Sequence, residues 1–142
     1  MITQHFQILS ETILIEEQNG CRIGISCIDN VFIIKQTLEK RKFNLETHMA
    51  FLDLEKAFDR INRKQLWQIL NRRYITYHLI EVIKSLYKNT SIQIGTGRKI
   101  LEKIYINQGI RQWRNLSPGQ FNSYIDDLLR NWKHKADAGT LL

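Results

Sequence analysis

Proline is almost missing from this chain: Pro118 is the only one in 142 residues. There is therefore no proline-rich linker, and one backbone position alone is locked by a ring. Cysteine is nearly as scarce. Cys21 and Cys27, separated by five residues, fit neither a disulfide framework nor a zinc-knuckle spacing. That points to a reducing, intracellular setting, cytoplasm or nucleus. The histidines (His5, His48, His78, His134) are scattered and form no metal-binding pair, which argues against zinc. Long apolar runs are lacking too. Ile13 to Ile15 and Val31 to Ile34 fall far short of the ~20 residues that a membrane-spanning helix needs. No signal peptide is visible, so no membrane partner is expected. Acid is in deficit.

What is present is a basic chain with enough apolar residues for one core. Lys and Arg number 21 against 14 Asp and Glu, a net charge of +7, and 43% of residues are hydrophobic. Such a charge attracts phosphate backbones or anionic surfaces and says nothing of fold. There are no internal repeats or low-complexity segments.

Along the chain, residues 2–17 carry a loosely helical apolar pattern, and Asn19-Gly20 with Gly24 marks a loop. Ile28, Val31, Phe32, Ile34 and Leu38 suit a helix that ends in the basic patch Lys40-Arg41-Lys42, which reads as a solvated end complementing the helix dipole. An apolar stretch, 47–54, reads as a strand. Asn62, with Gln65 three residues on, caps the next helix, whose stripe is Leu66, Ile69, Leu70 and Arg73. Leu79, Ile80, Ile83, Leu86 and Tyr87 mark another, with Asn89 near its end. Ser91–Ile94 and Lys103–Ile106 alternate around Gly95-Thr96-Gly97-Arg98-Lys99 as a hairpin. Lacking a following helix and a Gly-Lys-Ser/Thr ending, that turn is not read as a phosphate loop. Ser117 as N-cap, Pro118 at the first helical position and Gln120 at the capping-box position open the clearest amphipathic helix, with Phe121, Tyr124, Ile125, Leu128, Leu129 and Trp132 on its stripe.

The 47–54 stretch delivers Asp53 at its end and then breaks into charged residues. A carboxylate at a strand end is accessible to an ion and a substrate, and is equally consistent with an ordinary surface acid.

Three blocks together carry a resemblance. They are Gln18-Asn19-Gly20-Cys21-Arg22 with Ser26-Cys27-Ile28-Asp29; Phe51-Leu52-Asp53-Leu54-Glu55-Lys56-Ala57-Phe58-Asp59-Arg60-Ile61; and Gly109-Ile110-Arg111-Gln112 with Leu116-Ser117-Pro118, Phe121-Asn122 and Tyr124-Ile125-Asp126-Asp127. In order and spacing they resemble the reverse transcriptase domain of non-LTR (LINE-type) retrotransposons. The resemblance implies RNA-directed DNA synthesis on an RNA template and a DNA primer, with two Mg²⁺ ions held by carboxylates. It makes Asp53 the first metal-ligating aspartate and the Leu54 backbone carbonyl a second metal contact. Phe58 falls at the aromatic gate against a ribose 2′-hydroxyl, or is simply a core ring. Arg22 matches an arginine facing a triphosphate or template, or is a solvated loop residue. Gly109, Arg111, Gln112, Ser117 and Pro118 match the motif under the incoming nucleotide.

The implied fold is α/β, helix-rich, a partial palm and fingers with a small antiparallel sheet. Residues 1–46 correspond to a fingers-side remnant, and 47–142 to a partial palm lacking the Tyr/Phe-x-Asp-Asp hairpin. Tyr124-Ile125-Asp126-Asp127 spells that hairpin, but its helical stripe and helix cap place it in a helix, with both acids expected to point away from the buried face. Trp113 stands where the resemblance implies glycine, and Cys21, Ile23, Ile25, Arg114, Asn115, Gly119 and Gln120 also depart from the pattern. The expectation is a truncated remnant, inactive alone. Two alternatives stay open: a non-catalytic RNA- or DNA-binding module using Lys40–Lys42 or Arg72-Arg73, and one exon or fragment of a longer active polymerase.

Overall fold

The computed structural model describes residues 2–40, 49–96, 99–100, 102–111 and 116–137. Five helices and four short strands follow in the order α1 (Ile2–Ile13), α2 (Cys27–Lys40), α3 (Arg63–Arg72), α4 (Tyr77–Tyr87), β1 (Ser91–Ile92), β2 (Gly95–Thr96), β3 (Lys99–Ile100), β4 (Ile104–Tyr105) and α5 (Ser117–Asp137). The result is the helix-rich α/β arrangement with a small antiparallel sheet. Among the described residues no helix is long and apolar enough to cross a membrane.

α3 starts where its sequence says it should. Asn62 is extended, and its side-chain oxygen accepts from the Gln65 amide at 3.3 Å, satisfying one of the orphan donors of the first turn. Asn62→Ala should cost about 1 kcal/mol, read as a lower urea midpoint with unchanged slope; an unshifted midpoint would show the cap to be idle. The other end has no glycine, yet it closes as a Schellman motif. Tyr74 takes φ 60, its amide bonds to the Asn71 carbonyl, and the Ile75 amide reaches back to Leu70. Ile75 and Leu70 are both buried, which supplies the apolar contact this turn needs. Asn89 ends α4 in the same left-handed region, φ 59.

Packing joins α1 to α5, α5 to α3, and α3 to α4. The core between them holds Phe6, Leu66, Leu70, Ile80, Ile83 and Tyr87, with Ile61, Ile110 and Leu116 closing it from the loops. Each large apolar side chain buried there contributes roughly 1.5–3 kcal/mol before entropy is counted. Gly119 lies at the α1–α5 crossing, where an added Cβ would sit 3.0 Å from Ser10 Oγ and 3.1 Å from Phe6 Cε1. Absence of a side chain lets the two helices approach.

The hairpin forms as read, β1 pairing with β4 (Ser91↔Tyr105) and β2 with β3 (Gly95↔Ile100), all antiparallel. Register shifts by one residue between the two ladders, the count a β-bulge produces.

Three expectations change. Residues 49–54 form no strand, and Met49, Phe51, Leu52 and Leu54 are exposed. A strand is stable only with a ladder partner and a covered face, and among the described residues no segment pairs with it. α2 forms over the expected residues, but its stripe stays uncovered: Ile28, Val31, Phe32 and Leu38 are all exposed. The third concerns α5. Its most deeply buried residues are polar (Ser117, Gln120, Asn122, Ser123, Asp126), while Leu128 and Trp132 of the apolar stripe are exposed. Asp126 therefore faces inward, contrary to the pattern's reading.

Candidate active site

Residues 55–60 form a turn. The Asp59 and Arg60 amides both bond to the Lys56 carbonyl at 3.0 Å, with Lys56 at φ 53. Some fifty positions later the chain returns to it. The Gly109 amide donates to the Ile61 carbonyl and the Ile110 amide to the Phe58 carbonyl, each at 2.9 Å. Gln108 Nε2 adds a bond to the Arg60 carbonyl, also 2.9 Å. Gly109 is required here on two counts. Its φ is +78, and a Cβ would lie 2.7 Å from the Asp59 carbonyl oxygen.

Arg63, which no pattern singled out, holds the return loop to α3. Its guanidinium donates to the carbonyls of Gly109 (2.6 Å), Ile106 (2.8 Å) and Gln108 (3.1 Å), and lies 4.8 Å from the centre of the Tyr87 ring. Burial lowers its pKa, and the three carbonyls are what make a cation tolerable there. A solitary arginine one residue past a helix cap carries no sequence signal for that role. Tyr87 in turn donates to Gln120 Oε1 at 2.6 Å. Burial pushes its phenol up, against the lowering effect of the Arg111 backbone and the Arg63 charge. Gln120 thus faces Tyr87 rather than completing a capping box, and its Nε2 has no partner among the described residues.

Asp53 is exposed at the edge of an open cleft of ≈490 Å³ between the 53–61 segment and the apolar stripe of α5, Phe121, Tyr124, Ile125 and Leu128. Leu54 lines the same cleft. Phe58 is half-buried, its ring stacked on Phe121 with centres 4.7 Å apart. Arg111 is exposed. It lines a second open cleft of ≈620 Å³ with Asp59, Thr90 and Gly109, and its Nη2 donates to Thr90 Oγ1 at 3.4 Å. Ser117 is buried and its hydroxyl donates to the Arg111 carbonyl; Pro118 is half-buried beside it. Gln112, Trp113, Arg114 and Asn115 lie outside the described residues. Arg22 is apart from both clefts in its bonding. Its Nε meets Glu11 at 3.1 Å and its Nη1 the carbonyls of Ile15 and Gln18, which ties the 14–22 loop to α1.

The donor set beside Asp53 does not fit a two-metal centre. Glu55, the other acid that lines the cleft, pairs with Arg60 at 3.2 Å. Among the described residues no three His, Cys, Asp or Glu side chains converge. Asp126 and Asp127 are engaged elsewhere, in helix α5. Asp126 is 1% exposed and accepts from the Ile15 amide (2.8 Å) and Arg130 Nε (2.7 Å), with Arg73 at 3.1 Å. Asp127 pairs with Arg72 and Arg73.

A glycine loop bolted beneath a carboxylate-bearing turn, flanked by one long helix, is the frame these contacts build. The family model for reverse transcriptase (RNA-dependent DNA polymerase) matches residues 1–142, and the chain belongs to that family. Among its curated relatives are proteins of transposable elements. The chain is 27% identical to the Pol polyprotein of the type-1 retrotransposable element R2 of Popillia japonica, over 70% of this chain and 17% of that protein. It is 26% identical to an uncharacterized 149 kDa protein of transposon TX1 from Xenopus laevis (75% of this chain, 8% of that protein). With the Pol polyprotein of the type-2 element R2DM of Drosophila melanogaster the identity is 25%, over 80% and 11%. The chain therefore spans about a sixth or less of these relatives' length. No solved structure matches it.

Proposed function

We propose that this chain is the part of a non-LTR retrotransposon reverse transcriptase that presents the first metal-ligating carboxylate and the loop beneath the incoming nucleotide. In that reading Asp53 and the Leu54 carbonyl are metal contacts, Phe58 is the sugar gate, and Gly109, Arg111, Gln112, Ser117 and Pro118 line the nucleotide side. The observation that carries it is the pair of bonds from Gly109 and Ile110 to Ile61 and Phe58. They join two motif blocks that are distant in sequence, as a shared site requires. Stacking on Phe121 holds the Phe58 ring in one place, which a steric gate needs. The division into a fingers-side 1–46 and a palm 47–142 belongs to the same reading.

RNA template and DNA primer are the partners this implies, and Mg²⁺ the metal. One carboxylate cannot hold two such ions, since each is bound through carboxylates and substrate phosphates together. No catalytic step is therefore assigned to these residues by themselves. Arg22, tied to Glu11 and two carbonyls, acts in this reading by shaping the amino-terminal loop.

The expected result of a primer-extension assay on an RNA template with Mg²⁺ is no cDNA from the purified chain. Synthesis that disappears in Asp53→Ala would overturn the inactivity of the chain alone while upholding the role of Asp53. Synthesis unaffected by that substitution would sink the assignment of Asp53 itself.

A further inference from the structure

Residues 63–88, which form α3, its cap and α4, hold six cations (Arg63, Lys64, Arg72, Arg73, Lys84, Lys88) and one acid, Glu81. Their net charge is +5, out of +7 for the whole chain. Those cations differ in what they have left to offer. Arg72 and Arg73 are taken by Asp127 and Asp126, and Arg63 by three carbonyls. Arg73 is thereby removed as a free phosphate contact, whereas Arg72 stays 61% exposed beside Asp127. Lys84 pairs with Glu81 at 2.7 Å while staying partly exposed. Lys64 and Lys88 are exposed and have no ion-pair partner among the described residues.

Aromatic surface lies among them. On α4 the residues Tyr77, Glu81 and Lys84 recur at helical spacing, to one side of the buried Leu79, Ile80 and Ile83, and Lys88 follows as the C-cap. Tyr77 is 71% exposed, with the Lys84 ammonium 6.0 Å from its ring centre. From α3, half-buried Trp67 leans on Tyr87 at 5.7 Å. Together with Arg63, Lys84 and Lys88 it lines an open cleft of ≈430 Å³. This cleft shares no lining residue with the one at Asp53.

We propose that the α3–α4 hairpin is a second nucleic-acid site, which takes a single strand and is separate from the Asp53 cleft. Lys64, Lys84 and Lys88 meet backbone phosphates, and Tyr77 offers a face on which one base stacks. The uncovered Tyr77 ring beside Lys84 favours a single strand over a duplex, because paired bases present no free face for it. An acidic polypeptide would use the lysines and leave the Tyr77 ring idle. The site stands on charge and exposure alone, so it does not depend on the role given to Asp53.

The test is fluorescence anisotropy of the full chain with fluorescein-labelled oligothymidylate, without metal. Lys84→Glu/Lys88→Glu should weaken binding by roughly tenfold or more, and flatten the log–log salt dependence by about 1.4 in slope. Tyr77→Ala should weaken it about 5- to 160-fold. Lys35→Glu/Lys103→Glu makes the same change in net charge elsewhere and should have a much smaller effect; melting curves check that every variant is folded. Equal losses from the two lysine pairs would overturn the site, because net charge would then explain the binding. An unchanged affinity in Tyr77→Ala, or tighter binding of polyglutamate than of oligothymidylate, would overturn the single-strand assignment. Because binding is the readout, absence of DNA synthesis leaves this site standing, and its failure leaves the reading of Asp53 intact.

Discussion

Asp126→Ala should lower the unfolding free energy by about 3–5 kcal/mol, whereas Asp127→Ala, one position on, should cost no more than about 1 kcal/mol. The two acids are adjacent in sequence but face different surroundings. Asp126 is buried where the end of α1, the end of α3 and the middle of α5 converge, and it answers a backbone amide and two guanidinium groups. Removing it leaves the Ile15 amide unsatisfied and the Arg73 and Arg130 charges without their buried counter-ion. Arg130 also donates to the Ile13 carbonyl at 2.6 Å, so the same loss loosens the chain leaving α1. Asp127 is a quarter exposed; without it Arg72 stays solvated and Arg73 keeps Asp126. Urea titrations of the two variants decide the matter. Equal losses would mean that Asp126 is not the centre of this network.

Gly109→Ala should cost about 2–5 kcal/mol, the sum of a left-handed backbone that alanine resists and a contact that cannot be relieved. The added Cβ would lie 2.7 Å from the Asp59 carbonyl oxygen and 2.9 Å from its Cα. Both are backbone atoms of a turn that is itself bonded to this loop, so neither side can yield without breaking the bonds from Gly109 to Ile61 and from Ile110 to Phe58. Gly24 separates the two contributions. It has φ +79 and nothing within 4 Å of a built Cβ, so Gly24→Ala should cost only the backbone share, about 1–2 kcal/mol. Thermal melts of both variants check this. Matching shifts would show that the approach to Asp59 is not close in solution.

These two positions also show why glycine and aspartate could be noticed in the sequence without their physical roles being legible there. Gly109 stood out as part of a block resembling a nucleotide-side motif, yet its requirement comes from Asp59, fifty residues upstream. Asp126 stood out as part of a false catalytic pattern. Its helix was legible because the periodicity is a property of neighbouring residues, but Ser117 does not cap it: the first helical bond goes to the Leu116 carbonyl, and the Ser117 hydroxyl donates to the Arg111 carbonyl. The direction Asp126 faces was not legible.

By itself the sequence determined the elements whose causes are local. Asn62 caps α3 because its own side chain reaches an amide three residues on. Leu79, Ile80, Ile83 and Tyr87 form one buried stripe because helical spacing aligns them. Ser91–Ile92 and Ile104–Tyr105 are alternating segments close in sequence, and they pair with each other. The order of the three motif blocks sufficed for the family. Only the tertiary structure decided what depends on a distant partner. Residues 49–54 have strand composition but find no ladder among the described residues, since a strand's hydrogen bonds are all made to another segment. α5 buries a polar face because Asn122 finds the Gly20 carbonyl at 2.6 Å and Asp126 finds the Ile15 amide. A buried polar group is tolerated once it is bonded, and bonds to residues a hundred positions away leave no trace in a helical repeat. The same holds for Arg63, whose three acceptors lie more than forty residues downstream.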